Sequence, residues 1–302
     1  MKKLKHIIEF AAVVIAGLFL RILPYGLVLC LGRLIGDFAF YILKIRRKIV
    51  LRNISFVFPE KNESEIKAIA RDSYRNIGMS FMEFLSLPRI KKIGVLRFVD
   101  FEGTKPLDNL VAEKKGAVLI GAHFGSWELL GAALCAKGYP LDALFYRQHN
   151  EYFNNLVESY RKMVGLGLIP LKFALRTCLK SIKRGRFIAL LADQDAGRRD
   201  GVFVKFFNRY AATNKGPAVF ALSTGASIFM GFCIRQKPSH KHKIIFVPVE
   251  YKFTGDMEKD IFEFTCAYTK IYEKFCAEYP DHWFWFHKRW KTGKTPGDNF
   301  YA

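Results

Sequence analysis

The 302-residue sequence has no C-x-x-C pair. Its six cysteines (Cys30, Cys135, Cys178, Cys233, Cys266 and Cys276) are scattered, a pattern that fits reduced thiols in a cytosolic domain better than a disulfide framework or a zinc site. G-x-S-x-G is absent, as is a paired cysteine and histidine motif, so the chain offers no protein nucleophile of the hydrolase kind. Acidic residues are few: 27 against 48 lysines and arginines, for a net charge of +21. Such an excess implies an anionic partner, whether nucleic acid, a membrane surface, or a phosphorylated or acidic substrate. No Pro/Ser-rich linker and no internal repeat divides the chain, which is long enough for one large domain or two small ones. At 51% hydrophobic and 15% aromatic residues it can fill a core and still have apolar surface to spare.

A clean apolar run of about 20 residues, the length of a membrane-spanning helix, is also missing. Glu9, Arg21, Arg33 and Asp37 interrupt IIEFAAVVIAGLFL and RILPYGLVLCLGRLIGDFAFYIL, which lie between MKKLKH and the basic KIRRK. No small-residue cleavage site followed by a polar mature start marks this stretch as a signal peptide. We read residues 1–45 as a membrane anchor, either one tilted pass or a segment lying in the interface. Its lysine and arginine flanks favour the anionic cytoplasmic leaflet. The alternative is an apolar helix pair belonging to the core. Residues 46–302 form the remaining domain.

Beyond residue 45 the pattern alternates. ESEIKAIARDSYRNIGMSFMEFL has helical spacing, RFVDFE reads as a strand, and AVLIGA is a strand followed by the helix WELLGAALCAK. LDALFY, FIALLAD, ASIFMGFCI and KIIFVPVE read as further strands. NEYFNNLVESYRKMVG, LKFALRTCLKSIKRG, NKGPAVFALSTGA and DMEKDIFEFTCAYTKIYEKFCAEYP read as helices. Strands separated by helices predict an α/β fold whose mixed, mostly parallel sheet is covered by helices.

GAHFGSWELLG, residues 121–131, places His123 and Glu128 five positions apart. On one continuous helix that spacing is about 140° of rotation, and the side chains diverge. A strand ending near His123, a turn at Gly125 and a helix capped by Ser126 would instead put the base at the strand's carboxyl end and the carboxylate in the first helical turn. In open α/β sheets that edge binds ligands. A glycine hinge could fold Glu128 back onto the imidazole; the plainer alternative is a helix-capping glutamate beside an incidental histidine. Two other strand ends carry charge. FYRQHN presents Arg147, with Arg161 on the next helix, and LLADQDAGRRDG presents Asp193 and Asp195. Two aspartates could hold a metal, orient a substrate hydroxyl or pair with an arginine. With no histidine at metal spacing we read arginine pairing or hydroxyl contact, and no metal.

HFGSWE, FYRQHN with Arg161 downstream, LLADQDAG…GVFVKFF and the terminal HWFWFHKRWK together resemble the bacterial lipid A biosynthesis acyltransferases, the late lauroyl- or myristoyl-type enzymes. The resemblance runs from RNISFVFPE (52–60) to the C-terminus. It implies a glycerolipid-acyltransferase-like fold with an N-terminal membrane anchor, placed at the cell inner (cytoplasmic) membrane with the catalytic domain on the cytoplasmic side. It also implies acyl-acyl-carrier protein as co-substrate, with no other cofactor, and a lipid A precursor as acceptor. His123 and Glu128 become the catalytic pair, and Arg147, Arg161, Asp193 and Asp195 lie near the substrate. FEGT (101–104) looks like the phosphate motif of glycerolipid acyltransferases but precedes H-x4-E instead of following it, so Gly103 reads as a turn.

Imidazole suits removal of a hydroxyl proton as the acceptor oxygen attacks a thioester, and a carboxylate on the other ring nitrogen selects its tautomer. N–H groups near Gly125, or an arginine, would hold the oxyanion. Another glycolipid or phospholipid acceptor, such as a phosphatidylinositol mannoside, is the enzyme alternative. A nucleic-acid-binding protein that stacks bases on HWFWFHKRWK is the distant one, and it leaves the apolar N-terminus unexplained.

Overall fold

The computed structural model describes residues 2–147, 149–171, 174–237 and 239–302. Gln148 of FYRQHN, and Lys172 and Phe173 of the helix expected at LKFALRTCLK, lie outside the described residues. The chain begins with α1 (Lys2–Leu20), α2 (Tyr25–Tyr41), α3 (Arg47–Val57) and α4 (Glu63–Leu85). The start of α4 is written locally. Asn62 accepts the N–H groups of Ser64 and Glu65 while Glu65 accepts the Asn62 N–H, closing a capping box. Next come α5 (Leu87–Ile93), a 3-10 turn (Val95–Phe98), β1 (Val99–Glu102) and α6 (Lys105–Ala112). The alternating region holds β2 (Ala117–Gly125), α7 (Trp127–Ala136), β3 (Leu141–Phe145), α8 (Glu151–Met163), β4 (Gly167–Pro170), α9 (Ala174–Lys183) and β5 (Phe187–Leu191). After α10 (Gly197–Asp200), β6 (Gly201–Phe206) and β7 (Arg209–Asn214), the chain ends with α11 (Gly216–Thr224), β8 (Ser227–Arg235), β9 (His242–Pro248), α12 (Met257–Glu278) and an irregular tail.

Seven strands form one sheet in the order β1-β9-β8-β2-β5-β3-β4. Every neighbouring pair is parallel except β8 with β9, so the expected mixed, mostly parallel sheet is present. β6 and β7 form a separate antiparallel hairpin. Alternation along β2 divides the core. Val118, Ile120 and Ala122 face the cluster built with α12 (Phe264, Tyr268, Tyr272), and Ala117 and Leu119 face the one built with α7 (Leu129, Ala133, Leu134). Burial on both faces is what a central parallel strand requires, and it is why AVLIGA is an unbroken apolar run. Gly103 is a turn residue, as expected, with φ +75° and no room for a side chain against the Phe246 carbonyl.

The N-terminal segment packs onto the rest of the fold. Among the described residues no helix is long and apolar enough to cross a membrane. Nor is residue 45 a packing boundary. Gly32 and Gly36, four apart on one face of α2, press against α4. A Cβ at Gly32 would sit 2.6 Å from Met79 Cα, and one at Gly78 only 2.2 Å from the Gly32 carbonyl oxygen. Asp37, which reads in the sequence as an interruption, takes a two-pronged ion pair from Arg75 at 2.6 and 2.8 Å. Tyr25 donates to the buried Glu83 carboxylate at 2.5 Å, where Arg235 (2.6 and 2.9 Å) and His242 (2.7 Å) also converge. The opposite face remains apolar and exposed, with Ile15, Leu18, Phe19, Leu34, Ile35 and Phe38 open to solvent.

One face of α2 therefore belongs to the core, and deletion of residues 1–45 should abolish cooperative unfolding even in detergent. A 46–302 fragment with a sharp melting transition would show that the segment is separable after all.

Candidate active site

β2 extends past its apolar run through His123 to Gly125, and there it leaves the ladder. Gly121 pairs with Gly231 and Gly125 with Cys233, so four steps on β2 match two on β8. Bulges of this kind re-aim side chains, and this one carries His123. Gly125 ends it at φ +54°, where a Cβ would lie 1.8 Å from the Cys233 carbonyl oxygen. The glycine is not a free hinge. Its N–H donates to the His282 carbonyl at 2.8 Å, and its carbonyl accepts from Ser80 Oγ at 2.9 Å. That N–H is taken, so of the N–H groups near Gly125 expected to hold an oxyanion, its own is not free to do so.

The carboxylate on the imidazole is Asp193, not Glu128. His123 Nδ1 lies 2.9 Å from Asp193 Oδ1. Asp193 Oδ2 accepts the His123 backbone N–H at 3.1 Å and the Trp283 indole N–H at 2.9 Å. An ionised carboxylate only accepts, so Nδ1 carries the proton and Nε2 of the neutral ring keeps its lone pair. Burial would lower the His123 pKa, but the Asp193 charge and hydrogen bond, helped by Glu128, outweigh it and raise the value above 6.5. Burial likewise works against the Asp193 carboxylate. The His123 charge and hydrogen bond, with the Trp283 and backbone donors, hold its pKa below the usual range. The imidazole lies between Trp127, edge-on at 5.3 Å, and Phe284 at 5.9 Å, with about a quarter of its side chain exposed.

Glu128 is engaged elsewhere. It sits in the first turn of α7, as expected, and receives a bidentate pair from Arg161 Nε (3.0 Å) and Nη2 (2.5 Å) in the last turn of α8. Burial would lower the Arg161 pKa, but the bond to Glu128 raises it, so the guanidinium stays charged and occupied. Ser126 precedes α7 without capping it through its side chain. The Asp195 carboxylate is also engaged: it accepts from the Thr292 N–H and hydroxyl at 3.2 and 2.9 Å. Of the four residues expected near substrate, Arg147 alone is exposed, just past β3, with Glu158 of α8 within reach of its charge. Among the described residues no group of three or more His, Cys, Asp or Glu is placed to hold a metal.

HWFWFHKRWK turns out to be a strap across the sheet edge that carries His123. The Phe284 N–H donates to the His123 carbonyl at 3.0 Å, and Asn53 donates to the carbonyls of Trp285 and His287 at 2.8 and 2.9 Å. Burial pushes His287 down to about 4, so its neutral Nε2 accepts the Asp195 N–H at 2.9 Å. Trp283, Trp285 and Trp290 are buried, and their rings are closed to nucleic-acid bases. Sequence reasoning missed Trp283 and Phe284 as supports of the histidine. The density of aromatics there was the only signal.

Beneath α7, against the sheet, lies an apolar cavity of about 90 Å3. Trp127, Glu128 and Arg161 stand at the helix end near His123, and Leu119, Leu134 and Leu141 lie toward the other end of the strands.

This assembly sets an imidazole near an apolar slot, and the similarity of the chain to known proteins gives it a family. The model of the family described as bacterial lipid A biosynthesis acyltransferase matches residues 1–292. The chain belongs to that family. It is an O-acyltransferase, and the match takes in α1 and α2 as well as the sheet. It is similar to the lipid A biosynthesis lauroyltransferase of Escherichia coli (strain K12), 30% identical over 89% of this chain and 87% of the relative. The lipid A biosynthesis palmitoleoyltransferase of the same organism is 27% identical over 92% of this chain and 90% of the relative. A phosphatidylinositol mannoside acyltransferase of Mycobacterium tuberculosis is 28% identical over 53% of this chain and 52% of the relative.

The two pKa shifts predict a pH profile. A base must be neutral, so the acidic limb of the rate should rise with an apparent pKa above 6.5. Asp193→Asn should move that limb to lower pH and cost about 10³- to 10⁴-fold in turnover, the scale seen when the corresponding carboxylate of a serine-protease triad is neutralised. For stability the raised histidine contributes fully below its unfolded-state pKa and loses that contribution as pH rises through the folded value. The depressed aspartate contributes above its unfolded-state pKa and loses its contribution as pH falls. An unmoved acidic limb in Asp193→Asn would assign the base elsewhere.

Proposed function

We propose that the protein moves a fatty acyl chain from acyl-acyl-carrier protein to a hydroxyl of a lipid A precursor at the cytoplasmic face of the inner membrane, with His123 as general base. The observation that carries this reading is the Nδ1–Asp193 bond, which leaves Nε2 as the proton acceptor on the strand whose residues Leu119 to Ala122 line the apolar cavity. Nε2 takes the acceptor proton as its oxygen attacks the thioester carbonyl. The imidazolium, stabilised by Asp193, then returns that proton to the departing thiolate, so no protein nucleophile is consumed. The first turn of α7, uncapped by any side chain, offers N–H groups to the oxyanion. Each methylene of the acyl chain taken into the cavity contributes about 0.8 kcal/mol. Glu128 and Arg161 act as a pair that holds α7 to α8 at the cavity mouth.

The net charge of +21 suits a phosphorylated acceptor, an acidic carrier protein and an anionic leaflet. Exposed Arg147 is the residue placed to meet a phosphate. The apolar outer face of α1 and α2 suits a segment lying in the membrane interface, which replaces the tilted pass. The phosphatidylinositol mannoside relative supports a second acceptor class, since acceptor choice depends on the surroundings of His123 and not on the dyad.

Mass spectrometry of lipid A from cells with and without the gene should show one acyl chain lost in the deletion, restored by the wild-type chain and not by His123→Ala. Purified His123→Ala should lose about 10² to 10⁴ in rate on acyl-carrier-protein thioesters while staying folded, with a lower melting temperature because Asp193 loses its ring partner. An unchanged lipid A profile in the deletion strain would point to the other acceptor. Near-full activity of His123→Ala would end the mechanism.

A further inference from the structure

We propose that Gly131 determines how long an acyl chain this enzyme accepts, an inference that rests on the cavity under α7 being the acyl site. Three glycines line that cavity: Gly121, Gly131 and Gly231. Packing accounts for two of them. A Cβ at Gly121 would meet Leu191 Cδ2 at 2.8 Å, and one at Gly231 would meet Phe246 Cε1 at 2.9 Å. Gly131 is different. Its nearest neighbour would be Leu166 Cδ2 at 3.8 Å, an ordinary contact, and its backbone has helical, not left-handed, geometry. Neither space nor backbone requires glycine there.

Inside a helix glycine is disfavoured relative to alanine, because it has more conformational freedom to lose on folding. Gly131 lies at mid-helix in α7, so the fold would gain from a side chain at this position. What the missing side chain preserves is the gap that a Cβ would fill in contact with Leu166, itself part of the lining. Trp127 and Gly131, four apart, share a face of α7 with Leu134. At 1.5 Å per residue Gly131 lies about 6 Å below Trp127 and Leu134 about 10 Å below it. A side chain at 131 would therefore cut the slot part-way, leaving the mouth and His123 untouched and removing only the space beyond.

The test uses the full-length wild type, Gly131→Ala and Gly131→Leu, assayed on one acceptor with decanoyl-, lauroyl-, myristoyl- and palmitoyl-carrier-protein thioesters. The readout is the ratio of kcat/KM for long against short chains, which a change in folding alone would not move. Gly131→Leu should lower that ratio about tenfold or more, with decanoyl transfer retained, because a missing methylene's worth of apolar space already discriminates about 10-fold. Gly131→Ala should shift the ratio the same way by less, and its melting temperature should equal or exceed the wild type's. It therefore gives the answer even if the leucine variant does not fold. Unmoved ratios in a folded variant, or an equal loss on all four chains, would overturn the assignment while leaving the acyltransferase reading intact. A wild type that transfers none of the four chains would overturn that reading and this inference with it.

Discussion

The sheet edge that carries His123 depends on one buried carboxylate. Asp193 is 4% exposed, and removing a charge from water costs several kcal/mol unless it is well paired. Here it has the His123 ring, the His123 backbone and the Trp283 indole, which come from a strand bulge and the C-terminal strap. The same bonds that make the charge tolerable aim the imidazole. The bulge at 122–124 would otherwise leave the His123 N–H without a partner, and the strap would lose an anchor for its first tryptophan. Stability and base orientation are thus one constraint at this residue.

A second charge pair performs a different task. Glu128 and Arg161 close the gap between α7 and α8, and both line the mouth of the apolar cavity. The planar fork of Arg161 matches the carboxylate in two bonds, which a lysine cannot do. Glu128 still acts on His123 through space, adding to the rise in its pKa. The two carboxylates are engaged differently: Asp193 is bonded to the imidazole Nδ1, and Glu128 ties the first turn of α7 to α8.

A third cluster links the N-terminal helices to the same edge. Glu83 holds Arg235, His242 and Tyr25. Burial would raise the Glu83 pKa, but Arg235 and His242 outweigh it and keep the carboxyl well below its usual range. Arg235 is bound in turn through its backbone N–H to His282 at 3.0 Å, next to the strap residue that supports Asp193. The glycine contact between α2 and α4 brings Tyr25 into this network. The apolar N-terminus is therefore half core and half exposed surface, a division that its composition alone does not show.

Much of the architecture was legible locally, because periodicity and capping are properties of neighbouring residues. The unbroken run at AVLIGA, the helical spacing of residues 63–85 and the turn at Gly103 all read correctly. The hairpin at 201–214 and the short strand β4 did not, since an edge pairing of a few residues leaves little pattern. The sequence by itself determined which residues could do chemistry: a histidine at one strand end, two aspartates at another, a glutamate in a first helical turn, arginines and no nucleophile. It could not assign partners. His123 and Glu128 are five apart, and His123 and Asp193 are seventy apart, yet the distant pair is bonded. A parallel β2–β5 pairing brings the two strand ends together, while the start of α7 carries Glu128 toward α8. Hydrogen bonds are decided by distances of a few tenths of an ångström, and across seventy residues only the folded sheet sets those distances.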